Sequence, residues 1–308
     1  MALIYSCILI IVGFMMLVTG ADYFVSNASG IAKKLGISLL VIGLTIVAFG
    51  TSMPELAVSV TAALEGANEI AVGNVLGSNI FNLLMVAGSS ACFFPLVTNP
   101  TLMKRDWPLS TIAAIVLTIF VGMDAYISRM EAAILIVMFV CTMFMQLRAK
   151  NEETQKDESE TRKMSQLIIW LVVGVIGIVV GGQLTVDGAC ELARILGLSE
   201  TLIGLTIVAV GTSLPELVTS VVAARKGENE IAMGNVIGSN LFNLLCILGI
   251  SAFVHPITVA STAFIDAMFL SIVSIVFWLI AKYYRLNRPV GMIMMTIYVA
   301  YMIYIICR

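Results

Sequence analysis

An all-α membrane protein, ten transmembrane helices arranged as two inverted five-helix repeats, is the fold class that this 308-residue sequence predicts. Three observations carry the prediction. Apolar residues make up 60% of the chain and charged ones 12%, against roughly half and a quarter in soluble domains. Uncharged runs recur between the charged clusters, each near or above the roughly 17 to 25 residues that a membrane helix needs. The sequence also repeats itself. Shifted by 161 residues, Ile42 to Leu84 aligns with Ile203 to Leu245, and 32 of the 43 positions are identical.

The ten spans follow in order. The first, about Leu3 to Ala21, ends at Asp22; no Lys or Arg precedes it and no small-residue cleavage site follows, so it reads as a retained helix rather than a signal peptide. Ser38 to Leu64 and Ile70 to Pro95 hold the first copy of the repeat and are separated by Glu65 and Glu69. Trp107 to Met123 and the shorter Ala132 to Leu147 complete the first half. Met164 to Val186 opens the second half, Thr201 to Ala224 and Ile231 to Val254 hold the second copy, and Ala263 to Ala281 and Pro289 to Cys307 close it. The shift between copies crosses five spans, an odd number, so the copies enter the bilayer from opposite sides. Inverted repeats that meet at a binding site are a common transporter architecture.

Between the halves lies the only hydrophilic run, Arg148 to Lys163, where ten of sixteen residues are charged, five of each sign. It cannot pack a core and reads as a linker. The expected organisation is therefore a first five-helix repeat at 1–147, a linker at 148–165 and a second repeat at 166–308, with the duplicated segments at about 38–95 and 199–254. Cytoplasmic loops retain Lys and Arg. With both termini outside, fourteen of the seventeen cations fall inside and only Arg129, Arg194 and Arg308 outside. The expected location is a membrane, with the linker on its cytoplasmic side.

Composition also excludes functions. Seventeen Lys and Arg against nineteen Asp and Glu give a formal charge of −2, with no basic field for nucleic acid. The six cysteines are scattered singly, and His255 is the only histidine, so neither a zinc site nor a disulfide framework is indicated. His255 beside Pro256 reads as a polar residue at a span end.

Seventeen of the nineteen acidic residues, Asp22, Asp187 and Asp266 among them, fall in loops, in the linker or near span ends. Glu55 and Glu216 do not. They lie inside the second and seventh spans at matching repeat positions, where an ionised carboxylate costs at least several kcal/mol unless paired or hydrated. No Lys, Arg or His lies near mid-span to pair with them. A protonated glutamate holding a structural hydrogen bond is the bland reading; two carboxylates awaiting a cation is the functional one.

Each glutamate follows a proline, in Gly50-Thr51-Ser52-Met53-Pro54-Glu55 and Gly211-Thr212-Ser213-Leu214-Pro215-Glu216. A mid-helix proline removes a donor and collides with the carbonyl four residues back. The expectation is a kink that frees the carbonyls of Gly50 and Gly211, with those of Ala48, Thr51, Ala209 and Thr212 turned out nearby. Broken backbone at membrane depth is tolerated where it lines a site. Ser52, Glu55 and Ser59 share a helix face, as do Ser213, Glu216 and Ser220. In the next spans Asn74, Ser78 and Asn82, and Asn235, Ser239 and Asn243, form polar stripes at four-residue spacing. These polar groups also suit interhelical hydrogen bonds, and the paired Gly73 and Gly77, Gly234 and Gly238, suit close helix packing.

The inventory is carboxylates, hydroxyls, amide oxygens and carbonyls, without thiolate or imidazole clusters. Oxygen-only sites suit hard cations such as Ca²⁺. Two carboxylates cancel one Ca²⁺, or are neutralised by Na⁺ or protons. An empty site near −2 is trapped by the apolar barrier, which makes exchange obligatory.

The paired GTSMPE and GTSLPE, followed by GNVLGSNIFN and GNVIGSNLFN, resemble the two alpha-repeats of the Ca²⁺/cation antiporter superfamily, specifically its prokaryotic Na⁺/Ca²⁺ exchanger branch. The motifs span roughly 90 residues, and the ten-span plan extends the resemblance over the chain. It implies four ion sites among helices 2, 3, 7 and 8, with helices 1 and 6 sliding past that core. By position, Glu55 and Glu216 would bind Ca²⁺ with Thr51 and Thr212. Na⁺ would add Ser52, Ser78, Ser213, Ser239 and the carbonyls of Ala48 and Ala209. Asn82 and Asn243 complete the candidate ligand set. Where Asn243 stands, many relatives carry an acid; asparagine there argues against K⁺ cotransport. The linker is too short for a Ca²⁺-sensing domain. The resemblance implies transported Ca²⁺ and Na⁺, no cofactor, no enzymatic activity, and the lipid bilayer as the only partner besides the ions. H⁺/Ca²⁺ exchange on the same scaffold is the alternative, because a buried glutamate can carry a proton; its relatives usually show GN-A-x-E in place of GTS-x-PE. A passive cation channel stands third.

Overall fold

In the computed structural model, residues 2–96, 99–148, 160–198, 207 and 209–307 are described. With no water in a bilayer core, a spanning segment must satisfy its backbone internally, and helices do this within one segment. The chain is accordingly a succession of helices. α1 covers Ala2–Leu35. α2 covers Leu39–Thr51 and α3 Met53–Leu64, bent by 52° against each other. α4 covers Asn68–Phe93 and α5 Leu102–Asp124. After β1, Tyr126–Ile127, come α6, Arg129–Arg148, and α7, Met164–Ile195. The short α8, Ala209–Gly211, precedes α9, Leu214–Arg225. α10 covers Asn229–Val254. After β2, Ile257–Thr258, α11 covers Ser261–Tyr283 and α12 Arg288–Cys307.

Among the described residues eight helices are long and apolar enough to cross a membrane, and the bent pair α2 and α3 makes a ninth. The first part of the expected seventh span, 201–206 and 208, lies outside the described residues; α8 and α9 are its described part. Large apolar side chains such as Ile4, Ile11, Val137, Ile169 and Ile272 stand exposed on the outer helices. That is the surface of a protein whose solvent is lipid. The chain is an integral membrane protein.

The structure corrects several boundaries. α1 and α7 run 34 and 32 residues, about 50 Å each at 1.5 Å per residue, well past the expected ends at Ala21 and Val186. Asp22 and Asp187 are therefore interior helical residues. A single charge does not stop a helix; the stops come at Gly36 and Gly197, whose φ values of 65° and 81° suit glycine. There Ile37 N–H bonds the carbonyl of Ala32, and Leu198 N–H that of Ala193, each at 3.0 Å. Asp106 is likewise not a loop acid. It is fully buried, its two oxygens gripped by Arg105 Nε at 2.9 Å and Nη2 at 3.0 Å. Asp266 is also buried, in the second turn of α11. The small antiparallel pairing of β1 with β2, Tyr126 opposite Thr258, was not foreseen from the sequence and ties the loops after α5 and α10 together.

Packing divides the molecule. α1 and α7 lie side by side with their backbones in near contact: a Cβ added at Gly20 would fall 2.7 Å from Ile178 N, and one at Gly181 would fall 2.5 Å from Leu17 N. α4 and α10 form the buried centre, joined by α3 and α9. Each of α2, α4, α5 and α10 contains a π-turn, at Gly43–Val47, Asn82–Val86, Leu102–Asp106 and Phe242–Ile247. Gly234 and Gly238 on α10 sit against the first of these, where a Cβ at Gly238 would fall 2.6 Å from the carbonyl oxygen of Leu44. The small-residue faces of the second repeat thus serve helix packing.

Candidate functional site

Both Gly-Thr-Ser-x-Pro-Glu segments break their helices, and in the first repeat the expected kink is the 52° bend between α2 and α3. α2 ends at Thr51, Ser52 leaves the helix at φ −86° and ψ 13°, and α3 begins at Met53 with Pro54 in its first turn. In the second repeat Ser213, at φ −94° and ψ 6°, precedes α9, whose first turn holds Pro215. Proline is tolerated in a first turn, where its missing N–H has no intrahelical partner to lose. Each proline stands in the first turn of the helix that follows the break. Each glutamate is consequently the third residue of a helix, at the positive end of its dipole, where a carboxylate is favoured.

Burial and partners then define the site. Thr51, Ser52, Glu55, Ser59, Ser213, Glu216, Ser220 and Asn235 are all 0% exposed. Ser52 Oγ donates to Glu216 Oε1 at 2.7 Å, and Ser213 Oγ lies 2.9 Å from Glu55 Oε1. Each repeat's serine holds the other repeat's glutamate. The threonines cross over too, Thr51 Oγ1 donating to Asn235 Oδ1 at 3.0 Å and Thr212 Oγ1 to Asn74 Oδ1 at 3.4 Å. The asparagine amides return the connection. Asn74 Nδ2 reaches the Glu55 carbonyl at 3.3 Å and Ser59 Oγ at 2.9 Å, and Asn235 Nδ2 reaches the Glu216 carbonyl at 3.4 Å and Ser220 Oγ at 2.9 Å.

The two halves differ at one pair. Ser78 Oγ lies 3.5 Å from Glu55 Oε1 and 3.0 Å from Ser213 Oγ, whereas its counterpart Ser239, equally buried, lies beside Glu216 and makes no contact with Ser52 as close. Glu55 Oε2, Glu216 Oε2 and both amide atoms of Asn82 and of Asn243 have no hydrogen-bond partner among the described residues. Buried polar groups are ordinarily hydrogen-bonded, so this set of oxygens is a costly arrangement for protein stability alone. The two carboxylates are electrostatic neighbours, and among the described residues no cation pairs with either. Nor do the described residues contain a group of three His, Cys, Asp or Glu. The chemistry on offer is two carboxylates and neutral oxygens, a donor set for a hard cation.

Ala48 departs from expectation. Its carbonyl stays in the helix, accepting from Ser52 N–H at 3.0 Å and from Thr51 Oγ1 at 3.3 Å. In the second repeat Ser213 N–H bonds the carbonyl of Val210 at 3.2 Å, so the backbone beside Ala209 is wound differently. The helix faces read from spacing identify the site's side chains. The cross-repeat pairing of serine with glutamate and threonine with asparagine escapes sequence reasoning, because spacing gives a face and never its partner.

Fold and burial together define an all-helical integral membrane protein with a buried, oxygen-lined polar cluster shared by two copies of a repeat. The family model for sodium/calcium exchanger protein matches residues 5–148 and 166–307, and the chain belongs to that family. The sodium/calcium exchanger MaX1 of Methanosarcina acetivorans is 35% identical over 340 residues, covering 96% of this chain and 97% of its own. The inner membrane protein YrbG of Escherichia coli is 37% identical over 284 residues, covering 88% and 87%. Among solved structures, the sodium-calcium exchanger NCX_Mj soaked with Na⁺ and Sr²⁺ superposes with a TM-score of 0.86 at 31% identity, over 97% of both chains.

Proposed function

We propose that the chain is a secondary antiporter that exchanges Ca²⁺ for Na⁺ by alternating access. One observation carries this reading: two buried glutamates, one from each copy of the repeat, are each hydrogen-bonded by the other copy's serine while one oxygen of each carboxylate is left without a protein partner. A divalent cation between the carboxylates cancels both charges. Na⁺ ions at the same oxygens, with Ser52, Ser78, Ser213, Ser239, Thr51, Thr212, Asn82, Asn243 and the carbonyl of Ala209, neutralise them in the return step. The empty site at about −2 cannot cross the apolar barrier, since an uncompensated buried charge is expensive, so transport in one direction is tied to transport in the other.

The architecture in this reading is ten spans in two inverted repeats, 1–147 and 166–308, joined by the linker at 148–165. Both termini face outward and the linker faces the cytoplasm, on the fourteen to three division of cations. The inner-membrane name of the YrbG relative supports the same location here. Purified protein in liposomes loaded with Na⁺, with acid, or with neither tests the coupling. Ca²⁺ should accumulate against its gradient only under the outward Na⁺ gradient. Equal drive by protons would replace Na⁺/Ca²⁺ exchange with H⁺/Ca²⁺ exchange, and uptake without a counter-ion would indicate a channel.

A further inference from the structure

The duplication is faithful at the site but not at the ends of the helices, and the difference is concentrated where α1 meets the turn between α9 and α10. That turn contains Lys226, Gly227 and Glu228. Lys226 Nζ lies 2.7 Å from Asp22 Oδ1 and 3.2 Å from the Asp22 carbonyl, and it also donates to Ser26 Oγ. One turn further along α1, Ser29 Oγ donates to Glu228 Oε1 at 2.8 Å. The end of the linker grips the same stretch. Arg162 Nη1 reaches Asn27 Oδ1 at 3.0 Å, its Nη2 reaches the Ser26 carbonyl at 3.5 Å, and Lys34 Nζ donates to the Arg162 carbonyl. From Asp22 to Lys34, α1 is tied to the second repeat by charge-assisted hydrogen bonds.

The repeat-related positions at the opposite end of the molecule cannot make this grip. At the 161-residue shift Lys226 corresponds to Glu65, Glu228 to Ala67, Asp22 to Gln183, Ser26 to Asp187 and Ser29 to Cys190. The cation has become an anion, and the counterparts of the α1 residues that bind it are an amide and a second acid. Gln183 Nε2 instead donates to Asp187 Oδ1 at 2.9 Å within α7. Sequence identity between the copies is high on both sides of Lys226 and Glu228 and falls off along α1 and α7.

We infer that Lys226, Asp22, Ser26, Ser29 and Glu228 form a one-ended latch that holds the linker end of the molecule closed and biases the exchanger toward the state open at the other face. The inference rests on the alternating-access reading in one respect, that the two faces open in turn. Its geometric basis is separate. α1 contributes none of the site's side chains and packs along α7 through glycine, so the two move as a pair, and withdrawing α1 from the turn between α9 and α10 must break these bonds. An ion pair as exposed as Asp22 with Lys226 is a modest interaction. Its effect is a bias, not a lock.

The test uses a reporter that does not depend on transport. Ala28, fully buried between Asn27 and Ser29, is replaced by cysteine in full-length protein whose six native cysteines are changed, and its labelling by an impermeant maleimide is timed in membrane vesicles of each orientation. Lys226→Gln or Asp22→Asn should speed labelling from the linker face by about two- to fivefold. The same changes should lower the apparent KM for Ca²⁺ at that face by a similar factor, because the open fraction there rises, and leave the KM at the opposite face nearly unchanged. Restoration of the slow rate by the double exchange Asp22→Lys with Lys226→Asp would show that the pairing matters and that the single variants are folded. Unchanged labelling in both single variants, or no restoration in the double exchange, overturns the latch. If labelling responds as expected but wild-type vesicles show no Na⁺-dependent Ca²⁺ flux, the latch stands and the transport reading fails.

Discussion

Ser52 and Ser213 are the residues through which one repeat constrains the other's glutamate. Removing either hydroxyl leaves a buried carboxylate oxygen without its donor, a loss of about 1–3 kcal/mol in comparable settings. Ser52→Ala and Ser213→Ala are each expected to raise the KM for Ca²⁺ by about tenfold or more while the protein still purifies as a monodisperse species. Ser213→Ala should be the more damaging, since Ser213 lies against Ser78 as well as Glu55. Asn243 offers a test in the other direction. Asn243→Asp adds a third carboxylate to the site, leaves a Ca²⁺-loaded form at about −1, and should impair exchange in Na⁺ alone; recovery on adding a second monovalent cation would show that the deficit is one of charge. The members of this buried polar cluster were legible as residues, because acids in apolar spans stand out and the duplication singles them out twice. Who touches whom was not. Face arithmetic places Ser52, Glu55 and Ser59 together, yet Ser52 bonds Glu216, 164 positions away.

For whole helices, the sequence signals were strongest where they were chemical and weakest where they were geometric. Apolar runs located the spans, but a cut at Asp22 and Asp187 shortened α1 and α7, because amphipathic ends beyond the lipid carry charges without ceasing to be helical. The prolines pose a related question. The expected break is there, as a 52° bend in the first repeat, but the chain leaves the helix at Ser52 and Ser213 and the prolines occupy the next first turn, so the break is set either by the prolines or by the Gly-Thr-Ser backbone before them. A consequence follows that distinguishes the two pictures. With the break set by the preceding Gly-Thr-Ser backbone, Pro54→Ala and Pro215→Ala should retain exchange at near wild-type KM and change stability by no more than about 1 kcal/mol, read from thermal unfolding. A proline-driven kink would instead straighten and abolish transport.

For the molecule as a whole, duplication supplies a pair of near-equivalent half-sites, and the departures from equivalence supply direction. Ser52 and Ser213, Thr51 and Thr212, and Asn74 and Asn235 mirror one another in their contacts across the repeats; Lys226 and Glu65 do not. The charge bias of the loops gives this molecule a predicted orientation. A cysteine introduced at Ser159 in the linker should react with impermeant reagents only from the cytoplasmic side, and reaction from outside intact cells would reverse every assignment of inside and outside made above. The central claim is that two buried carboxylates, one from each repeat, carry the charge of one Ca²⁺. Its most direct test is Na⁺-driven Ca²⁺ uptake by wild-type, Glu55→Gln and Glu216→Gln proteins reconstituted side by side. Glutamine preserves volume and hydrogen-bonding capacity and deletes one charge, so wild-type protein should accumulate Ca²⁺ against its gradient and both variants should insert normally yet accumulate none. Wild-type uptake by both variants would show that these acids are not where the ion binds.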